Sequence, residues 1–147
     1  MNFLTENNIR QYEDLIKKID GLILDSEQTA DSLKQAEKKL SDMAVLIKNI
    51  STYQKTKDIY RGYIKAKNKD AYRRKHESSL ILYEAATKAL KDAGLTKLPN
   101  LTTLQKEYSV LQKHKEVLYS DYGKFKSKVK EYRSEEHTSE LQSQPQI

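Results

Sequence analysis

The histidines, glycines and serines of this chain do not combine into a known catalytic or metal-binding pattern. No two of its three histidines, His76, His114 and His137, have the short spacing that places two metal ligands on one face of a helix. Its four glycines are scattered, so no glycine-rich phosphate-binding loop is present. No serine has the setting of a nucleophile, and there is no cysteine. We therefore expect no enzyme activity, no metal site and no cofactor.

Residues 51–76, which we call the basic segment, have a composition that points to a ligand. The basic segment holds nine Lys and Arg against two Asp, and tyrosines alternate with the cations. Such a pattern can bind nucleic acid, with phosphates on the cations and bases stacked on the rings. The candidate nucleic-acid-binding residues are Lys55, Lys57, Arg61, Tyr63, Lys65, Lys67, Lys69, Arg73 and Arg74. The alternative is a solvated face that only keeps a helical protein soluble.

The tyrosines of the basic segment do not all support that interpretation. Tyr53 and Tyr60 lie seven residues apart, on the apolar seam of a predicted helix, and we expect them to pack. Tyr63 lies off this seam, so we expect it to be exposed and available to a base.

Composition and periodicity predict helices as the elements that position these residues. Only four glycines and two prolines interrupt the 147 residues. Apolar residues recur at alternating steps of three and four from Ile9 to Leu33 and from Leu104 to Tyr132. These patterns predict three helices, at about residues 9–67, 69–93 and 102–132, within one helical region of residues 1–132. Gly94 is the expected helix end, and Asn100, Thr102 or Thr103 can begin the last helix.

Short connections between these helices favour antiparallel neighbours. We therefore expect an all-α fold, namely an elongated antiparallel helical hairpin or coiled coil of three helices, with the first helix much the longest. The second and third helices are too short to cover more than the C-terminal half of the first. We expect its N-terminal half to need another partner.

The composition also bears on the compartment. The chain has a net charge of +6, no cysteine and no long apolar run. Its first 15 residues lack the basic start and apolar block of a signal peptide. We expect a cytoplasmic protein without a membrane partner.

Residues 133–147 are foreign in character to the rest. The stretch RSEEHTSELQS, residues 133–143, resembles one reading frame of a short-read sequencing adapter, and all eleven codons match. The resemblance implies that the natural sequence stops at Tyr132 because the read stopped, and that the tail is disordered and without function. A natural polar tail is the alternative.

Three stretches between residues 3 and 132 resemble the C-terminal helical region of relaxases, the mobilisation nucleases of conjugative and mobilisable elements. They are FLTENNIRQYEDL, IKNISTYQKTKDIYRGYIKAKNKDAYRRKHESSLILYEAATKAL and GLTKLPNLTTLQKEYSVL. The resemblance lies in the order Y-x-K-T-x-D-x-Y, H-E-x-x-x-x-L-Y-x-A-A, G-x-x-K-L-P and L-x-x-E-Y. Relaxases of this type nick one DNA strand with a tyrosine and a histidine-bound metal, both in an N-terminal domain. No H-x-H motif occurs here, so the resemblance implies a downstream fragment and assigns no catalytic residue.

The resemblance implies a non-catalytic accessory region that acts in conjugative transfer or plasmid mobilisation. Its candidate partners are DNA, bound non-specifically through phosphates, and other transfer-complex proteins. The alternative is a coiled-coil structural or interaction module that associates with another chain or a second copy through its seams, without DNA contact. Salt separates the two, because phosphate contacts weaken steeply as salt rises whereas apolar association does not.

Overall fold

The computed structural model describes the backbone of residues 3–143 and the side chains of residues 6–135. Its helices are α1 (Phe3–Lys65), α2 (Lys69–Lys75), α3 (Glu77–Asp92) and α4 (Leu101–Ser143). No strand occurs among the described residues, and α1 is the longest helix at 63 residues. The predictions of an all-α fold and of a long first helix are therefore confirmed.

The predicted number of helices is wrong, because a break at His76 divides the predicted helix of residues 69–93 into α2 and α3. His76 has φ −119° and ψ 26°, outside the α-helical range. Its N–H still donates to the Tyr72 carbonyl, and its own carbonyl accepts from the Leu80 N–H, both at 3.0 Å. Helical hydrogen bonding therefore continues across the bend, and neither proline nor glycine marks it in the sequence.

Asparagine side chains begin the two helices that follow a loop. The Asn68 Oδ1 accepts from the Ala71 N–H at 3.1 Å and caps α2. The Asn100 Oδ1 accepts from the Thr102 N–H at 2.9 Å, which makes Asn100 the cap of α4. After α3, Gly94 has φ +75°, a left-handed conformation that favours glycine, so its predicted role at a helix end is confirmed.

The chain divides into two compact units, and α1 and α4 contribute to both. Unit 2 is Lys38–Gln112. Its core joins Met43 and Ile50 of α1 to Leu90 of α3 and Leu104 of α4. The predicted packing of the later helices against the C-terminal half of α1 is therefore present in unit 2.

Unit 1 comprises the described parts of Met1–Glu37 and Lys113–Ile147. The Glu37 carboxylate accepts a hydrogen bond from the Tyr119 hydroxyl at 2.8 Å and lies 3.8 Å from the Lys115 ammonium. The bond to Glu37 raises the pKa of Tyr119 above its ordinary value. The expectation that the N-terminal half of α1 needs a partner other than the predicted helices is wrong, because α4 extends to Ser143 and its part from Lys113 onward belongs to the same unit as Met1–Glu37.

The structure continues α4 through residues 133–143, where the sequence predicts disorder; residues 144–147 lie outside the described residues. Glutamate, leucine and glutamine are good helix formers, and extending an existing helix needs no new nucleus. A helical backbone does not bear on the resemblance of this stretch to an adapter, so we give it no functional role. No helix in the described part of the chain is long and apolar enough to cross a membrane.

Candidate nucleic-acid interface

The net positive charge of the chain is located in unit 2. This unit holds 16 Lys and Arg against 7 Asp and Glu, a formal charge of +9. Unit 1 holds 11 Lys and Arg against 14 Asp and Glu, a formal charge of −3. The basic segment lies wholly within unit 2, so the excess charge that its sequence predicts is not cancelled by its surroundings there.

The α1 part of the basic segment carries cations on one side and packs with the other. Lys57, Arg61 and Lys65 recur at steps of four and therefore share a face of the helix. Arg61 and Lys65 are exposed, and Lys57 is partly buried. On the inner side, Thr56 is buried and its hydroxyl donates to the Thr52 carbonyl at 2.7 Å. Arg61 and Lys65 therefore lie away from the core of unit 2, whereas Lys57, seven residues after the buried Ile50, lies at the edge of the packed side.

The turn after α1 and the short helix α2 add a second group of cations. The Lys69 ammonium donates to the Ile64 carbonyl at 3.0 Å, which satisfies a free carbonyl in the last turn of α1. Lys67 and Arg74 are exposed. Lys75 is exposed as well. The prediction omits Lys75, although its place in the run Arg-Arg-Lys gave a signal for it.

Two of the predicted cations have carboxylate partners. The Arg73 guanidinium donates to both oxygens of Glu84, at 2.8 and 3.3 Å, and these bonds hold the pKa of Glu84 below its ordinary value. Arg61 lies 3.6 Å from Asp58, with both side chains largely exposed. Within the described residues, the other candidate cations and Lys75 have no carboxylate within 4.0 Å; those candidates are Lys55, Lys57, Lys65, Lys67, Lys69 and Arg74.

The tyrosines of the basic segment contact one another, Tyr83 of α3 and His76 between α2 and α3, in an arrangement that we call the aromatic ladder. It consists of Tyr53, Tyr83, Tyr60, Tyr63, Tyr72 and His76, in that order of contact. The Tyr60 and Tyr83 rings stack at 4.1 Å between centroids, and Tyr53 stacks on Tyr83 at 5.7 Å. The prediction that Tyr53 and Tyr60 pack is therefore confirmed.

The expectation of an exposed Tyr63 is wrong. Its ring is partly buried and lies 6.3 Å from both the Tyr60 and the Tyr72 rings, between centroids. The Arg73 guanidinium lies over the same ring, 5.9 Å from its centroid. The seam argument missed this because Tyr72 and Arg73 come from α2, which the periodicity of α1 cannot reveal.

Tyr72 attaches α2 to α1 at a position where α1 has no side chain. Its hydroxyl donates to the Ile59 carbonyl at 2.8 Å, and its ring lies against Gly62. A Cβ at position 62 would overlap the Tyr72 hydroxyl and lie 2.9 Å from Cζ. Sequence reasoning missed this contact. The signal for it was a glycine inside a helical pattern, which costs the helix about 1 kcal/mol, but Gly21 and Gly123 give the same signal without a close contact.

The described residues contain no group of three or more His, Asp or Glu side chains that could hold a metal ion. His76 belongs to the aromatic ladder and His114 is exposed, whereas His137 lies outside the described side chains. Comparison of the chain with protein-family models, with curated proteins and with solved structures finds no match.

Proposed function

We propose that unit 2 is a non-catalytic DNA-binding region and that the chain belongs to the helical accessory part of a relaxase, acting in cytoplasmic conjugative transfer or plasmid mobilisation. The observation that carries the DNA-binding proposal is the group of cations on unit 2 without carboxylate partners. The motif order of residues 3–132 supplies the relaxase part. The accessory region would hold DNA, or a transfer-complex partner, near a nuclease domain that makes the nick.

Phosphate is the ligand that best matches these cations. Duplex DNA carries one negative charge per about 1.7 Å of its axis, and each neutralised phosphate releases condensed counterions. A cation that already has a carboxylate partner gains less from a phosphate, because it must give up that partner. The cations without carboxylate partners, together with a unit charge of +9, therefore favour a polyanion over a neutral ligand.

The test is a salt titration of fluorescently labelled duplex DNA with the wild-type chain and a variant of unit 2. The variant replaces four exposed cations without carboxylate partners by glutamine: Lys65, Lys67, Arg74 and Lys75. Each lost phosphate contact should lower the slope of log affinity against log salt by about 0.9, and binding to all sequences should weaken alike.

The matched control replaces four exposed cations of unit 1, Arg10, Lys17, Lys18 and Lys34, by glutamine. This variant has the same net charge as the first but keeps all the cations of unit 2, so its salt slope should remain that of the wild type. Equal losses in the two variants would mean that overall charge binds DNA and that unit 2 has no special role. Absence of wild-type binding at low salt would remove the DNA-binding proposal.

The second candidate function, association through helix seams, is favoured by a groove within unit 1, of which Arg133 and Ser134 of the adapter-like stretch line one part. The groove has a volume of about 850 Å³, and its apolar lining includes Ile23, Tyr122 and Val129. Two helices alone leave such seam residues partly open, and a further helix can cover them. A second copy of the chain that binds there should keep the protein dimeric from 0.1 to 1 M salt, as measured by light scattering. A monomer at all salt concentrations would remove this candidate.

A further inference from the structure

We infer that the basic segment binds DNA through the phosphate backbone alone, without stacking a base on its tyrosines, and that it prefers duplex DNA to a single strand of equal length. The inference rests on the proposed DNA binding and specifies which form of DNA is bound and through which of its groups. It follows from a difference in how available the two kinds of side chain are to a ligand. The tyrosine rings contact one another, whereas most of the cations have no carboxylate partner.

The first feature is that every tyrosine of the basic segment already has a ring partner. Tyr60 and Tyr83 stack almost face to face, with 15° between their planes. Tyr53, Tyr63 and Tyr72 each contact another ring, and all three are partly buried. A nucleic-acid base needs an open ring face of about its own size, so a base that stacked on a face already covered by another ring would have to displace that ring.

Tyr63 is the residue at which the sequence best predicts stacking, and its surroundings oppose it. A base that approached the face under Arg73 would have to displace the guanidinium, which the two hydrogen bonds to Glu84 hold in place. A base that approached from α2 would have to displace Tyr72, whose hydroxyl is bonded to the Ile59 carbonyl. Both routes replace contacts within unit 2 by a contact with the ligand.

The second feature is that most of the cations can meet phosphates without breaking an ion pair; on α1 the exception is Arg61, which lies 3.6 Å from Asp58. Lys57, Arg61 and Lys65 share one face of α1, and the eight residue steps from the first to the last span about 12 Å at 1.5 Å per residue. That length matches about three to four phosphates along one strand of duplex DNA, which are about 3.4 Å apart along its axis. Duplex DNA has the higher charge density and a salt slope of about 0.9 per contact against 0.7 for a single strand. Phosphate contact alone therefore favours the duplex.

The experiment uses the wild-type chain and three labelled ligands of equal length: a duplex, oligo(dT), and an abasic deoxyribose-phosphate strand. The abasic strand keeps every phosphate and has no base, so it isolates stacking without changing the protein. We expect oligo(dT) and the abasic strand to bind within about twofold of each other, since a single stacked base would add about 5- to 150-fold. We expect the duplex to bind more tightly than either.

The outcomes separate this inference from the proposed function. Oligo(dT) that binds fivefold or more tightly than the abasic strand would overturn phosphate-only binding while leaving DNA binding in place. A duplex that binds more weakly than oligo(dT) would overturn the stated preference in the same way. Failure of all three ligands to bind at low salt would remove DNA binding itself, and the inference with it.

Discussion

Gly62→Ala should destabilise unit 2, although alanine is the better helix former. At an exposed position inside a helix, a change from glycine to alanine stabilises a protein by about 1 kcal/mol. At Gly62, however, the added Cβ would overlap the Tyr72 hydroxyl and approach Cζ to 2.9 Å. Gly21 is also in α1, and a Cβ there would meet no described atom within 4 Å. Gly21→Ala is therefore the matched control.

The expected magnitude follows from what Tyr72 would lose by moving away. Its hydrogen bond to the Ile59 carbonyl, 2.8 Å long, contributes about 1 kcal/mol. Its ring contact with Tyr63, at 6.3 Å between centroids, contributes about 0.5 to 1.5 kcal/mol. The total loss of about 2 kcal/mol exceeds the helical gain of about 1 kcal/mol, so the net cost is about 1 kcal/mol. The two alanine variants should differ by about 2 kcal/mol and in sign.

Urea denaturation followed by circular dichroism measures this difference. The decisive comparison is a double-mutant cycle with Tyr72→Leu, which removes the ring that an alanine at position 62 would meet. In that background, Gly62→Ala should stabilise the protein by about 1 kcal/mol, as Gly21→Ala does in the wild type. If Gly62→Ala stabilises the wild-type chain as much as Gly21→Ala, Tyr72 does not pack closely on α1 and our account of this contact is refuted.

Three further predictions test other contacts. Gly94→Ala should lower the free energy of unfolding by about 1 kcal/mol, because φ +75° strains an alanine; an unchanged urea midpoint would contradict this conformation. Leu80→Ala, at a side chain with no exposure, should cost about 2 to 5 kcal/mol, whereas Leu82→Ala, at one that is 53% exposed, should cost within about 0.5 kcal/mol; similar costs would contradict the packing of α3. The hydrogen bonds from Arg73 lower the pKa of Glu84. The pair therefore stabilises the folded state fully at pH values above the ordinary carboxyl pKa, and this stabilisation is lost as the pH falls through the lowered pKa of the folded state. Arg73→Gln should raise the Glu84 pKa in an NMR titration, and an unchanged pKa would show that the pair does not form in solution.

The fold was largely predictable because apolar periodicity is a local property of the sequence. The seam from Leu104 onward predicts α4, and Asn100 and Gly94 mark the ends of elements through their own conformations. The break at His76 was not predictable in the same way. Hydrogen bonds of 3.0 Å continue across it, and its neighbours are ordinary helix residues, so no local rule is violated there.

The charge of the candidate site could be predicted from the sequence. Which of its side chains are available to a ligand could not. Counting residues located the excess of cations, because charge depends on composition alone. Whether a side chain is available to a ligand depends on partners that are distant in sequence. Glu84 pairs with Arg73 from eleven positions away, and Tyr83 stacks on Tyr60 from another helix. Neither partner follows from spacing within the basic segment.

The contacts that Arg73 and the tyrosines make within unit 2 also explain why Arg74 and Lys75 are exposed to solvent. α2 has seven residues, none of them buried, and an isolated helix of that length is not stable in water. Its stability must come from its attachments, of which Tyr72 supplies one to α1 and Arg73 supplies one to α3. The side chains on the remaining face are thereby left to solvent with their charge unpaired. Aromatic residues in a basic segment can therefore position its cations without being available to a ligand themselves.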